Sequence, residues 1–430
     1  MDTPGLGFST ERAAPARAPS WSPWAMLERR IRARLQQLPF GVALVLPGGR
    51  RLGPERAPLV LRLHELGLLR PLASGQIGRL AQAHVDGRLD IDGSPRLVAD
   101  LAGALLQSDP VAAGLSRPWA PWLQGLRVAG THSRRRDREQ VQFHYDLGDE
   151  FYELWLDPRR VYSCAYYREP GLSLAQAQEA KLELICRKLM LRPGLRLLDI
   201  GAGWGALMLW AVEHHGAIAH GVTLSRHQHD HVQRLIEERG LRDRASIELR
   251  DYRDIVEEDP GYDRIASVGM FEHVGRVQLD AYFTKLRRLL RPGGLLLNHG
   301  ITAAGLHNRQ LGAGIGDFVE RHIFPGGELV HVAQVMEAMA RAGFEVLDVE
   351  NLRPHYARTL WDWSDALEAR LDAARALVPE PVLRAWRLYL AGSALGFERC
   401  WMGLHQLLGW RPEARGAQSQ YPFTRDHIYR

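Results

Sequence analysis

Residues 196–206 read RLLDIGAGWGA. A short apolar strand carries Asp199 at its end, and Gly201, Gly203 and Gly205 follow at alternate positions. A strand that runs into glycines can turn tightly and let a ligand approach its backbone before a helix starts. GALMLWAVEHH continues as that helix, and the unit then repeats. AIAHGVTLS is a strand, RHQHDHVQRLIEERG a helix closed by Gly240, and SIELRDY, RIASVGM and GGLLLNHGIT are further strands. LDAYFTKLRRLLRPGG is a helix whose Pro292-Gly293-Gly294 serves as stop and turn. HVAQVMEAMARAG and FEVLDVENL repeat the unit once more. Strands alternating with helices from about residue 141 onward imply an α/β fold, a parallel doubly wound sheet with helices on both faces.

The chain before that point has a different texture. Residues 1–23 are rich in Pro, Ala and Ser and are expected to be disordered. In WAMLERRIRARLQQL, Trp24, Leu27, Ile31 and Leu35 fall at helical spacing with arginines opposite. That pattern fits a helix docked on its own domain, or a basic amphipathic helix lying on an anionic bilayer. Residues 24–107 form a small unit: GVALVLPGG reads as a strand and turn, ASGQIGRLAQAHV as a helix, and DGRLDIDG as a turn-rich segment. Residues 108–140 read as a linker ending in Arg134, Arg135, Arg136 and Arg138, most simply solvated charge. Residues 141–430 then form the larger domain.

Composition narrows the class. Three cysteines, Cys164, Cys186 and Cys400, are too few for a secreted disulfide framework and suit a reducing cytosol. No Cys/His cluster has zinc-like spacing, so no metal is expected. His227 and His231 in HQHDH would meet on a helix, but no third ligand is evident, and a solvated helix face is the simpler reading. No signal peptide is apparent, and no run approaches the roughly 18 apolar residues of a spanning helix. The net charge of +5 fits either Arg-rich codon usage or a surface that meets anions.

D-x-G-x-G-x-G is not the dinucleotide spacing G-x-G-x-x-G. It resembles the S-adenosylmethionine (AdoMet) loop of Rossmann-like methyltransferases. Those enzymes commonly end the second strand with a ribose-binding acid; here GVTLSRHQ offers Thr223, Ser225 and Gln228. With HYDLGDEFYELWLD, YSCAYY, DIGAGWG, TLSRHQ, GMFEHVG and HIFPGG in order, the chain resembles cyclopropane-fatty-acyl-phospholipid synthases over roughly residues 40–410. The resemblance implies a Rossmann-like class I AdoMet methyltransferase fold with a small N-terminal α+β, lipid-associated domain. It implies transfer of the AdoMet methyl carbon to a cis double bond of a phospholipid acyl chain, with cyclopropane closure and a bound bicarbonate as base.

Carried over residue by residue, the bicarbonate cradle comprises backbone groups at Cys164 and Ile301 and the side chains of Glu272, His299 and Tyr356. The cofactor positions are Tyr162, Ser163, Asp199, Gly201, Gly203, Trp204, Gly205, Thr223, Ser225, Gln228, Tyr252 and Arg253. His273 is read as structural, and Trp361 and Trp363 as lining an acyl pocket or the core. Three departures stand out: Ser393 replaces a family cysteine, Asn298 is polar where an apolar residue is common, and the YSCAY motif continues into Tyr167. The first two keep a methyl- or methylene-branched product open as the alternative. Family membership further implies a homodimer, peripherally associated with the inner face of the membrane, cytoplasmic, and meeting no nucleic acid. A nucleic-acid methyltransferase acting on exocyclic amines would carry an Asn/Asp-Pro-Pro-aromatic motif where this chain has GMFEHVG. A non-catalytic lipid-binding protein would not need the intact cradle.

Overall fold

The computed structural model describes residues 23–106, 110–111, 148–257, 261–306, 311–324, 327–413 and 421–429. Of the expected disorder over 1–23, residues 1–22 lie outside the described residues and Pro23 opens a helix; nearly all of the expected linker, with its arginine cluster, also lies outside them.

The small unit is a four-stranded sheet of β1 (Val42–Val45), β2 (Arg51–Leu52), β3 (Leu59–Leu63) and β4 (Leu89–Asp92), in the order β2-β1-β3-β4. β4 corrects the turn-rich reading of that segment: Leu89 and Ile91 alternate inward and pair with Leu63 and Leu61 of β3. Helices Leu69–Ser74, Ile77–Val85 and Pro95–Leu105 cover the sheet. The helix Pro23–Leu35 buries Ile31 and packs Leu27 and Leu35 on the same core. Its apolar face is therefore committed to its own unit, which favours the docked reading.

The larger sheet joins β5 (Arg196–Ile200), β6 (Ile218–Thr223), β7 (Ala245–Leu249), β8 (Tyr262–Val268), β9 (Leu290–Ala303), β11 (Glu345–Asn351) and β12 (Met402–Trp410). Their order is β11-β12-β9-β8-β5-β6-β7, with the short β10 (Val330–His331) beside β9. Strands β5 to β9 run parallel, but β12 is antiparallel to both β9 and β11. The sheet is mixed, which corrects the all-parallel expectation. The reason is the connection. Helices Arg353–Glu368 and Glu380–Glu398 pack against each other and return the chain to the end where β11 finished, so Asn351 sits opposite His405. Pro292-Gly293-Gly294 is likewise not a free turn. The helix Leu279–Leu289 ends before it, and these residues open β9, where Gly293 donates to the Arg411 carbonyl.

Candidate active site

Two cavities meet at the C-terminal ends of the parallel strands, where open α/β sheets place their ligands. The first, about 170 Å³, lies over β5, β6 and β7 and is lined by Asp199, Gly201, Gly203, Trp204, Thr223, Gln228, Tyr252 and Arg253, with Tyr162 and Ser163 on its rim. The second, about 930 Å³ and mostly apolar, holds Cys164, Glu272, His299, Ile301 and Tyr356. Tyr162, Ser163, Gly269 and His273 line both, so the two cavities share this wall.

The glycine loop is shaped by contact. Gly201 has φ +75°, and a Cβ there would lie 2.6 Å from Met270 Cγ. Two expected cofactor residues do not reach the cavity. Gly205 starts the helix Ala206–His215, and a Cβ there would lie 2.8 Å from Val232, so its smallness serves helix packing. Ser225 caps the helix Arg226–Glu238 by accepting from the Gln228 N–H. Thr223 donates to Gln228 Oε1 at 2.7 Å, which fixes the pair that replaces the usual acid. Asp251, missed from sequence, accepts from the Arg253 N–H and Nε at 2.9 Å each and sets that side chain on the wall.

The YSCAY segment is held from beneath. Gln178 donates to the Ser163 carbonyl at 2.8 Å, Lys181 donates to Ser163 Oγ at 3.0 Å, and Thr359 Oγ1 accepts from the Ala165 N–H at 3.1 Å. Lys181 was also missed, because its helix, LAQAQEAKLELICRK, is rich in polar and charged residues and gives no sign that this lysine is buried. It lines the first cavity with Asp199, and both are buried. Burial pushes the Asp199 carboxyl up to about 7, opposed by Lys181, and brings the Lys181 ammonium down to about 8. Burial pushes the Cys164 thiol up, so it stays protonated and donates to the Ala165 carbonyl at 3.2 Å. Tyr167 is structural: its hydroxyl donates to Asp362 at 2.7 Å.

Glu272 follows β8 on a single 3-10 turn, Phe271–His273. A Cβ at Gly300 would lie 2.2 Å from the Phe271 ring and 2.9 Å from Glu272 Oε1, so only glycine lets this turn close onto β9. Glu272 Oε1 accepts from the Ile301 N–H at 2.7 Å, so the amide expected to face an anion is already engaged. Oε2 is buried with no hydrogen-bond partner, and burial pushes the carboxyl up to about 7. On β9, the buried His299 receives the Gln406 side-chain N–H at Nδ1, 3.2 Å, from β12. That contact places the proton of the neutral ring on Nε2, which has no partner. Burial holds His299 well below its ordinary value, so the ring is neutral. Gln406 lies in a strand that was not anticipated.

The remaining expectations sort cleanly. Asn298 does not line the cavity; it faces Tyr282, whose hydroxyl donates to it at 3.4 Å, so it is removed from the reacting region. Ser393 does line the cavity. Trp361 and Trp363 belong to the core. His273, read as structural, stands on the wall of both cavities. His227 is exposed and His231 contacts Arg160 at 3.4 Å. Among the described residues, no three His, Cys, Asp or Glu side chains converge as a metal site.

Residues 132–407 match the family model described as mycolic acid cyclopropane synthetase. The chain is 42% identical over 398 residues to a probable fatty acid methyltransferase of Pseudomonas putida, covering 92% of this chain and 98% of that protein. It is 41% identical over 280 residues to cyclopropane mycolic acid synthase 1 of Mycobacterium tuberculosis, covering 62% of this chain and 94% of that one. Among solved structures, mycolic acid cyclopropane synthase CmaA1 complexed with SAH and CTAB is 39% identical, with a TM-score of 0.60, covering 64% of this chain and 98% of that chain. Coclaurine N-methyltransferase, at 20% identity and a TM-score of 0.53, shares the fold.

Proposed function

This chain belongs to the mycolic acid cyclopropane synthetase family, and from that premise we propose that it transfers the AdoMet methyl carbon to a cis double bond of an unsaturated phospholipid acyl chain, closing a cyclopropane ring. The observation that carries the reading is the pair of adjoining cavities. A smaller, glycine-walled one lined by Asp199, Thr223, Gln228 and Arg253 shares the wall of Tyr162, Ser163, Gly269 and His273 with a large, mostly apolar one. The apolar cavity holds two buried polar atoms without partners, His299 Nε2 and Glu272 Oε2.

The π electrons of the double bond form the new C–C bond as the S–C bond breaks, leaving a cationic carbon. Loss of a proton from the added methyl then closes the ring. Such a carbon is captured by water unless water is excluded. Tyr162, the first residue of the YSCAY segment, packs with Phe151, Tyr152, Trp155, Trp363 and Trp386 in an aromatic layer that leaves no room for water on this side. The two unpartnered atoms fit a small oxyacid anion, because buried polar groups are otherwise satisfied. His299 Nε2–H and the Tyr356 hydroxyl would donate to bicarbonate, and Glu272 would accept from its hydroxyl. Bicarbonate, when bound, supplies the base for that proton. The Cys164 thiol, kept protonated, is not needed as one.

Peripheral contact with an anionic bilayer on its cytoplasmic face belongs to the same reading, because the substrate is membrane lipid. Among the described residues, no helix is long and apolar enough to cross a membrane. A methyl- or methylene-branched product is the second reading. It now rests on the Ser393 hydroxyl at the cavity wall, since Asn298 faces away. The test is the acyl profile of a host lacking its own synthase, expressing this chain. Cyclopropane signals in the NMR spectrum are expected. A saturated methyl branch, two hydrogens heavier by mass spectrometry, or a methylene branch by NMR, would replace the ring with the second reading. An unchanged lipid profile would refute both.

A further inference from the structure

The cavity that holds Glu272 and His299 extends beyond the catalytic sheet. It runs into the interior of the small N-terminal unit, where Leu72, Ile77, Leu80, Ile91, Val98 and Leu101 line it. These side chains also belong to that unit's own hydrophobic core. The core is therefore hollow where it faces the larger domain. Protein interiors are close-packed, and voids larger than a water are few. Water settles in a hole only where polar groups hold it. Every residue between 61 and 106 that lines this one is apolar or glycine.

The two halves of the cavity are fixed to each other. Gly78 donates to the Ala313 carbonyl at 2.9 Å, and a Cβ on Gly78 would lie 1.8 Å from the Gly314 oxygen. Arg384 donates to the His84 carbonyl at 2.9 Å and pairs with Asp90 at 3.0 Å. His322 and Gln82 meet at 2.7 Å. The match to the family model begins at residue 132, so this annex lies outside the segment that defines the family.

We propose that the N-terminal unit is a tail pocket, receiving the methyl end of the same acyl chain whose double bond lies against Glu272 and His299. The inference rests on the acyl-chain reading above. The all-apolar lining excludes an ester or head group, which would be buried there without hydrogen bonds. Continuity with the reacting region makes the occupant part of the substrate. The unit thereby selects chains by their length beyond the double bond.

The full-length protein tests this in two ways. Ala102→Trp and the milder Ala81→Leu narrow the annex, and Leu101→Ala widens it. Each is given AdoMet and anionic phospholipid vesicles carrying cis-monounsaturated chains of graded length, in competition, after thermal denaturation has verified folding. Narrowing is expected to lower the long-to-short product ratio by roughly tenfold, since each displaced methylene forfeits its burial. Widening shifts the ratio the other way. A ratio that stays put in folded variants, or a loss equal at all lengths, overturns the tail pocket. The second test needs no turnover. A lipid with a photoreactive diazirine at the methyl end should label peptides within 77–105 of the wild-type protein. Labelling confined to 269–402 overturns the proposal. If the wild type modifies no lipid, the acyl-chain reading fails in the first assay, while the labelling still decides on the pocket.

Discussion

Replacing Glu272 by glutamine isolates the energetics of a carboxyl held in an apolar wall. The amide oxygen can keep the 2.7 Å bond from the Ile301 N–H, but the side chain no longer ionises. Burial raises the wild-type carboxyl from 4.5 to about 7. Between those values the unfolded chain loses its proton while the folded chain keeps it, so stability falls as pH rises through the window. Below 4.5 both states are protonated and the penalty is absent; above about 7 it is complete. A rise from 4.5 to about 7 corresponds to about 3 kcal/mol. Urea denaturation of the ligand-free protein on both sides of the window, in buffer freed of bicarbonate, measures it. Relative to wild type, E272Q should gain about 3 kcal/mol from the low to the high side. Asp199 and the neutral His299 are present in both proteins and cancel in the comparison. Added bicarbonate at the upper pH should stabilise the wild type more than E272Q, as binding to the folded state requires. A difference between the two proteins that stays flat across the window would refute the reasoning.

Three further outcomes are expected. Iodoacetamide should label Cys400 alone in the native protein, because Cys164 and Cys186 are buried, and Cys164→Ala should keep turnover within about tenfold; peptide mass spectrometry and lipid assay read these out. Gly78→Ala should cost about 1–3 kcal/mol by thermal denaturation, because its Cβ would meet the Gly314 carbonyl, and should speed hydrogen exchange over 311–324. Lys181→Met removes the cation that opposes burial at Asp199, so that carboxyl should titrate above its wild-type value of about 7, and the variant should cost about 3 kcal/mol once the pH exceeds that raised value and less below it. Denaturation on both sides of that value and calorimetry of AdoMet binding check the last.

The parallel core of the larger domain was legible because its signals are local. Apolar strands, glycine stops and helical spacing follow one another between 196 and 351. The glycine loop and the YSCAY and FEHVG motifs likewise brought most of the expected residues to two adjoining cavities. What was not legible depends on partners distant in sequence. Gln406 orients His299 across 107 positions, in a strand whose glycines and glutamine disguise it. Gly205 and Ser225 looked like ligand contacts because a glycine or serine at a βα turn reads the same whether it faces a ligand or a neighbouring helix. Asn298 looked able to redirect the product because it adjoins His299, yet successive strand residues point to opposite faces. The hollow of the small unit was invisible because a leucine lining a cavity and a leucine filling a core have identical sequence patterns.

The position of β12 gives the chain a schedule. From Met402 opposite Ala303 to Trp410 opposite Leu295, it covers β9 edge to edge. During synthesis β9 must wait for about 100 further residues, roughly 5–20 s at ordinary ribosomal rates. In that interval its apolar ladder is an open edge, the kind of surface that recruits foreign strands. The AdoMet loop and the Glu272 turn have already emerged, but Gln406 has not, so His299 cannot yet be held in register. The reacting centre is thus completed by an element that leaves the ribosome after Glu272, His299 and Tyr356. A nascent chain or a product truncated before residue 402 would carry most of the chemistry's residues but not the Gln406 contact that orients His299.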